Sequence, residues 1–231
     1  MRQGAGMNHF EAVRALVVAA HPDDIEIGCG GTLAALVRSG AAVRLLLATA
    51  GERGGSGQER SDEQRASAAI LGVEQVEFLG YPDAELPLSP DLIWKVEAQI
   101  KTFAPSLIFT HHPEDTHQDH RTLSQAVVSA SRYAHSVLFF EGPTSIDFHP
   151  HLFSDISDTF ELKIAALKAH ASQVYKSGVQ GLDIVQIAHA NAHFRGVQAR
   201  VAAAEGFEAL RMLLPVGLGG HWQVRPNGCQ A

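Results

Sequence analysis

Two short segments of the chain carry the side chains that most often bind metal ions in proteins. His21, Asp23 and Asp24 lie within four residues of one another, directly after an apolar run. The second segment, residues 111–121, holds four histidines and three acidic residues, while the apolar runs on either side of it hold none. Imidazole and carboxylate groups suit Zn²⁺. A solvated loop would use lysine and glutamate instead of histidine, so the second segment indicates a functional site.

A catalytic zinc ion usually has three protein ligands and one open position for water or substrate. His21, Asp24 and one histidine of the second segment satisfy that count, and a turn can direct the first two toward one point. His117 and His120 are three residues apart where a helix begins, so both rings can face the same crevice. For residues 21–24 alone an alternative stays open, in which His21 caps a turn and the aspartates cap a helix.

Two glycine-containing segments need separate interpretations. Residues 50–57 contain four glycines, and Glu52 and Arg53 in this loop can contact a polar substrate or orient a ligand, although a plain surface loop is the alternative. Residues 28–33 look like a dinucleotide-binding loop, but Leu33 stands where the third glycine belongs. We therefore exclude nucleotide binding there and expect these glycines to allow close packing of a helix start.

The elements that must position these residues alternate between short apolar strands and amphipathic helices. We predict strands at 14–20, 43–49, 75–79, 106–110 and 136–140, and helices at about 29–39, 59–72, 90–103 and 119–134. From about 158 the pattern becomes mostly helical, and Asp158 with Glu161 predicts a capping box for a helix ending near His170. This alternation indicates an α/β fold with a mostly parallel sheet, in one domain spanning 1–231.

In open α/β sheets, ligands bind beyond the carboxyl ends of the strands, where the loops after strands one, two and four meet. The formal charge of -7 and the absence of a basic stripe make nucleic acid an unexpected partner. Cys29 and Cys229 form no CxxC pattern, which favours a reducing compartment. Residues 1–13 lack the apolar core of a signal peptide, and no stretch reaches about 18 continuous apolar residues. We therefore expect a cytoplasmic protein without a membrane anchor.

Three motifs of the chain resemble those of the PIG-L (LmbE-like) family of zinc-dependent N-deacetylases. They are AHPDD-x-E-x-GCGGTLA at 20–34, T-x-GERGG at 49–55 and H-x-x-D-x-H-x-DHR at 112–121. Three supporting matches are EGP at 141–143, KAHASQ at 168–173 and AEGF at 204–207. The resemblance covers about residues 14–214.

This resemblance implies a Rossmann-like three-layer fold and the hydrolysis of an N-acetyl group from a small amino sugar or its conjugate. It further implies that His21, Asp24 and His120 bind zinc, that Asp23 is the general base for a zinc-activated water, and that His117 lies beside the reaction centre. We expect His117 to stabilise the developing oxyanion, which its protonated form would do best. A homo-oligomer is expected from the resemblance alone.

Two further residues have weaker assignments. Asp119 precedes a ligand and can orient a histidine. His170 can approach the site from the helical half, or can act as a partner of a helix dipole.

Three alternatives stay open from the sequence. One is a zinc amidase acting on a non-sugar amide, such as that of a thiol conjugate. Another is a phosphoesterase, although two-metal enzymes usually need more carboxylates than these segments offer. The third is a non-enzymatic ligand-binding domain in which the histidine-rich loop is incidental.

Overall fold

The computed structural model describes residues 13–213, in which seven strands form one sheet. The strands are β1 (Arg14–Ala19), β2 (Ala42–Leu47), β3 (Gln75–Phe78), β4 (Leu107–His111), β5 (Val137–Phe140), β6 (Leu152–Asp155) and β7 (Ala204–Arg211). Their order across the sheet is β3-β2-β1-β4-β5-β7-β6, and all pairs from β3 to β5 are parallel. The predicted mostly parallel α/β sheet is thus confirmed.

Within residues 13–213, six helices cover the sheet: α1 (Asp24–Arg38), α2 (Gly57–Leu71), α3 (Pro90–Phe103), α4 (Gln118–Ala130), α5 (Phe160–Ala169) and α6 (Ile184–Ala199). Strand β1 shows why both faces need covering, because its residues alternate between two apolar clusters. Val17 belongs to the cluster under α1, α2 and α5, whereas Val18 belongs to the cluster under α3 and α4. Such a centrally buried strand is apolar on both faces, and the result is the expected three-layer arrangement.

The prediction of a mostly helical chain after residue 158 is wrong in one part. Strand β7 pairs antiparallel with β5 and with β6, neither pairing having been expected. The sequence of β7, AEGFEALR, contains good helix formers, yet its first four residues are buried between the two neighbouring strands. Tertiary pairing therefore overrides local helix propensity here.

Two predicted helix starts also need correction. Helix α1 begins at Asp24, five residues before the expected start, because the turn at 21–23 leads directly into it. Helix α5 has Thr159 at its N-cap without a side-chain cap hydrogen bond, so the capping box of Asp158 and Glu161 is wrong. Asp158 instead uses its backbone carbonyl to accept a hydrogen bond from Arg38.

Two of the glycines of residues 28–31, Gly28 and Gly31, serve close packing, as expected, but they do so inside α1. A Cβ atom added at Gly28 would lie 2.3 Å from the ring of Phe140, and one added at Gly31 would lie 2.9 Å from Ile156. Helix α1 can therefore approach the end of β5 and the segment after β6 only because these positions lack side chains.

Some expectations concern parts of the chain outside the described residues. Cys229 and the N-terminal segment 1–12 belong to those parts, while Cys29 is buried with a free thiol. Among the described residues, no helix is long and apolar enough to cross a membrane. A single domain spanning 1–231 stays a prediction.

Candidate functional site

The carboxyl ends of β1 and β4 bring His21, Asp24 and His120 together. Asp24 opens α1, and its Oδ2 atom accepts a hydrogen bond from the backbone N–H of His21 at 2.8 Å. Its two carboxylate oxygens lie 3.3 Å from Nδ1 of His21 and 3.4 Å from Nε2 of His120. All three side chains are at most about one tenth exposed. His21 and His120 thus both contact the Asp24 carboxylate at the sheet edge.

The outer nitrogen of His21 is held by two aspartates. Nε2 lies 3.0 Å from Asp83 Oδ1 and 3.1 Å from Asp119 Oδ2, so this nitrogen carries the proton and donates. Asp119 is fixed in turn by backbone N–H groups of residues 84 and 86. Nδ1 is left facing Asp24, and the predicted orienting role of Asp119 agrees with this geometry.

The surroundings of His21 and His120 favour positive charge. Burial alone would lower the pKa of His21, but Asp119, Asp24 and Asp83 outweigh burial and raise it to about 12. Burial also lowers the pKa of His120. The carboxylates of Asp24 and Asp115 outweigh this effect and raise that pKa to about 9. Without a metal ion, both rings are therefore protonated on both nitrogens and positively charged at neutral pH.

Asp115 supports His120 from behind. Its Oδ1 atom lies 3.3 Å from Nδ1 of His120, and Oδ2 accepts a hydrogen bond from the Ser145 hydroxyl at 3.2 Å. A carboxylate behind a histidine fixes the ring and makes its other nitrogen a better ligand. Asp115 was part of the predicted histidine-rich segment, although no separate role was predicted for it.

His111 also lies within reach of Asp24 and His120, so other donor sets are geometrically possible. Donor atoms of Asp24, His111 and His120 lie within 4.8 Å of one another, as do those of His21, His117 and His120. However, Nε2 of His111 accepts the backbone N–H of Ala20 at 3.0 Å, which occupies its lone pair. Burial and the charge of His120 lower the pKa of His111 to about 4, so its ring is neutral and packs against His120.

His117 is the N-cap residue of α4, and its ring lies 4.7 Å from those of both His21 and His120. Its Nδ1 accepts the backbone N–H of Asp119 at 3.2 Å, which leaves Nε2 as the N–H donor of the neutral ring. Burial and the charges of His120 and His21 lower the pKa of His117. The neutral ring is therefore favoured, in contrast to the expected protonated form.

Asp23 lies beside the metal-binding group in an unusual backbone conformation. Its φ angle is 90°, a region that residues other than glycine rarely adopt. Oδ2 lies 3.4 Å from Arg60 on α2. Burial and the charge of Asp24 raise the pKa of Asp23 to about 7, although Arg60 and His170 act in the opposite direction. A carboxylate with such a pKa is suited to accept a proton near neutral pH.

Glu52 and Arg53 contact the loop that carries Asp83. Glu52 accepts the backbone N–H of Asp83 at 2.9 Å, and the backbone N–H of Arg53 donates to Asp83 Oδ2 at 2.9 Å. The Arg53 guanidinium is about three-fifths exposed and pairs with Glu85. These residues support the aspartate that holds His21, and the exposed guanidinium remains accessible to a substrate.

His170 follows α5 and is completely buried, with Nε2 at 3.3 Å from Glu26. It does not belong to the donor groups around His21 and His120.

The sequence interpretation missed Arg60 and Asp83. The signal for Asp83 was its place after strand β3, a strand end that was not inspected. Arg60 stands in a uniformly polar stretch, where no local pattern distinguishes it.

The chemistry of these donors fits a zinc ion, because two imidazole nitrogens and a carboxylate are ligands that catalytic zinc sites commonly use. Oδ2 of Asp24 lies 3.3 Å from His21 Nδ1, and Oδ1 lies 3.4 Å from His120 Nε2. The aspartates that raise the pKa values of His21 and His120 also create a negative potential that favours binding of a cation.

Comparison with known proteins gives a family match and several relatives. Residues 16–131 match the family model PIG-L, described as GlcNAc-PI de-N-acetylase. The uncharacterized deacetylase YaiS of Escherichia coli is 38% identical over 167 residues, covering 68% of this chain and 90% of that protein. The diacetylchitobiose deacetylase of Thermococcus kodakarensis is 31% identical over 186 residues, covering 69% and 70%.

Two solved structures show the same fold over nearly the whole described region. The conserved protein TT1542 of Thermus thermophilus is 29% identical with a TM-score of 0.78, covering 87% of this chain and 96% of that one. The 4-carboxy-2-hydroxymuconate hydratase of Pseudomonas putida has a TM-score of 0.79 at 24% identity, covering 89% and 99%. The second similarity concerns the fold alone, and a hydratase with this fold shows that fold does not determine the reaction.

Proposed function

Because the chain belongs to the PIG-L family and is therefore an N-deacetylase, a hydrolase of amide bonds, we propose that it removes the acetyl group from a small N-acetylated amino sugar or its conjugate. The observation that carries this proposal is the convergence of His21, Asp24 and His120 beside a carboxylate whose pKa is raised to about 7. A metal site with an adjacent general base is the arrangement that hydrolysis of an amide requires.

We assign the metal to zinc and its ligands to His21 Nδ1, Asp24 and His120 Nε2. The nitrogen and oxygen donors and the absence of cysteine among them support zinc. When bound there, zinc supplies Lewis acidity that lowers the pKa of water to roughly 7 and polarises a carbonyl oxygen. Asp83, Asp119 and Asp115 hold the two histidine rings in place.

Asp23 acts as the general base. As a carboxylate it accepts a proton from the attacking water, and it then delivers that proton to the nitrogen of the leaving amine. Its raised pKa suits both transfers, because a group that is half protonated near pH 7 can both accept and release a proton. Arg60 lies 3.4 Å from the carboxylate and limits this rise.

His117 stabilises the negative oxygen that develops on the attacked carbonyl. With Nδ1 engaged by the Asp119 backbone, the neutral ring presents its Nε2–H group as the donor. A preorganised donor costs no reorganisation during the reaction and can contribute about 3–4 kcal/mol to transition-state stabilisation.

Substrate contacts are assigned to the exposed rim of the site. The guanidinium of Arg53 is the accessible cationic donor there, and Glu52 supports it through Asp83. His170 is buried and acts on the site through Glu26 instead of touching substrate. We propose the cytoplasm as the compartment, from the cysteine content, and a homo-oligomer from the family resemblance.

A substrate panel tests the proposal and its alternative, an amidase of non-sugar amides such as thiol conjugates. The panel contains N-acetylglucosamine, diacetylchitobiose, N-acetylglucosaminyl conjugates, acetylated thiol conjugates and 4-carboxy-2-hydroxymuconate. Acetate release is measured with and without a chelator. We expect zinc-dependent acetate release from the sugars. Hydration of the muconate without deacetylation, or release from the thiol conjugates alone, would contradict the proposed function.

A further inference from the structure

Two side chains of helix α2 make hydrogen bonds to the carbonyl and the N–H group of the peptide bond between Pro22 and Asp23. Arg60 donates from its NH2 group to the carbonyl oxygen of Pro22 at 2.7 Å, and Gln64 Oε1 accepts the backbone N–H of Asp23 at 3.2 Å. Arg60 and Gln64 are one turn apart on α2, so both side chains project from the same face. One rigid element thus fixes the plane of this peptide.

This peptide needs such a restraint because Asp23 has a φ angle of 90°. A non-glycine residue in this region costs about 1–3 kcal/mol and persists only where the surroundings enforce it. Backbone strain at that position determines where the Asp23 carboxylate points. A relaxed backbone would move the carboxylate, whereas the metal ligands have restraints of their own. Asp83 and Asp119 hold His21, and Asp24 lies in the first turn of α1.

Gln64 is itself held in one orientation. Its Nε2 group donates to Glu26 Oε1 at 2.7 Å, and the Ser67 hydroxyl donates to the same oxygen at 2.7 Å. The other oxygen of Glu26 lies 3.3 Å from His170. A flipped Gln64 amide would place its oxygen against a carboxylate and its NH₂ group against the Asp23 N–H, so only the observed orientation is satisfied.

The four side chains of this network, Glu26, Gln64, Ser67 and His170, are completely buried. Burying polar groups is costly unless they are hydrogen-bonded, and Glu26 Oε1 accepts from both Gln64 and Ser67. Among the described residues, this network's hydrogen bond to the site is the one that Gln64 accepts from the backbone N–H of Asp23. The network therefore restrains the backbone that carries the general base.

We propose that Gln64, oriented by Glu26, is a positioning residue that holds the backbone of Asp23 in its strained conformation and so places the general base. This inference rests on the proposed deacetylase function. It differs from that function in assigning a catalytic effect to a residue that touches neither substrate nor metal.

The test compares Gln64→Met, which keeps the side-chain volume and removes both hydrogen bonds, with the parent protein. We expect kcat to fall about 10- to 100-fold, as for a reacting group displaced by about 1 Å. KM should stay within about twofold and bound zinc should be unchanged, because no ligand or substrate contact is altered. Gln99→Met is the matched control, since Gln99 also makes two side-chain hydrogen bonds, but to Arg44 and Glu77. The control should keep parental kcat.

A second variant covers the case in which Gln64→Met fails to fold. Glu26→Met nearly keeps the volume but removes both oxygens, including the one that accepts from Gln64 and Ser67, and we expect kcat to fall about threefold or more with zinc and KM retained. Parental kcat in either folded, zinc-loaded variant overturns the inference. A parent protein that releases no acetate from any substrate of the panel would instead refute the proposed function, so the two failures are distinguishable.

Discussion

Replacing two glycines of α1 by alanine should change stability in opposite directions. A Cβ atom at Gly28 would lie 2.3 Å from Cδ2 and 2.7 Å from Cγ of Phe140. At Gly30 the nearest atoms lie 3.7 Å away, which is an ordinary contact distance. Both positions lie within the same helix and neither has a positive φ angle. Comparing the two variants therefore separates the cost of a steric clash from the gain in helix propensity that both alanines provide.

The expected magnitudes follow from these distances. Carbon atoms pack at about 3.5–4.0 Å, so Gly28→Ala requires the Phe140 ring to move by more than about 1 Å. Phe140 is 1% exposed, so its ring is enclosed by packed neighbours that must also shift. Overpacking of this kind costs up to about 3 kcal/mol, and the alanine recovers about 0.5–1 kcal/mol of helix propensity. The net loss is about 2 kcal/mol. Gly30→Ala should gain about 0.5–1 kcal/mol.

Thermal unfolding of the zinc-loaded proteins measures the difference. For a chain of this size about 1 kcal/mol corresponds to about 2–4 °C, so Gly28→Ala should lower Tm by about 4–8 °C and Gly30→Ala should raise it by about 1–4 °C. Zinc content, measured in each sample, controls for metal loss. If both variants raised Tm, α1 would not be packed against the end of β5 as described, and the placement of Asp24 at the helix start would be in doubt.

Two further predictions concern metal binding. Zinc must displace a proton from both His21 and His120, whose pKa values are raised to about 12 and about 9, so apparent zinc affinity should fall roughly hundredfold per pH unit between pH 8 and pH 6. Competition with a chromophoric chelator measures this slope, and an affinity independent of pH would contradict the ligand assignment. Asp119→Asn should weaken zinc binding about 10- to 100-fold, because Asp119 orients His21. Asp62→Asn, an exposed carboxylate on α2, is the control and should bind zinc like the parent.

The sequence was most informative where chemistry and strand ends coincide. His21 and Asp24 follow β1, and His117 and His120 follow β4, so parallel pairing of adjacent strands brings them together once the strands are recognised. The family resemblance then predicted the same residues, and the family and the fold are confirmed. The roles of the individual residues stay proposals.

What the sequence did not reveal depends on tertiary contacts. Arg60 and Gln64 lie in a polar stretch that is typical of a solvated helix, and only the packing of α2 against the turn at 22–23 buries them. Asp83 lies in the loop after β3, and its bond to His21 joins segments about 60 residues apart in sequence. Strand β7 has helix-forming residues, and its conformation is fixed by pairing with β5 and β6.

The most direct test of the proposed mechanism is acetate release by zinc-loaded Asp23→Asn, measured on the substrate that the parent protein deacetylates best. We predict an unchanged zinc content and a rate about 10²–10⁴-fold below that of the parent, the usual contribution of a general base. A variant that kept its zinc and released acetate at the parental rate would contradict the assignment of Asp23 as the general base.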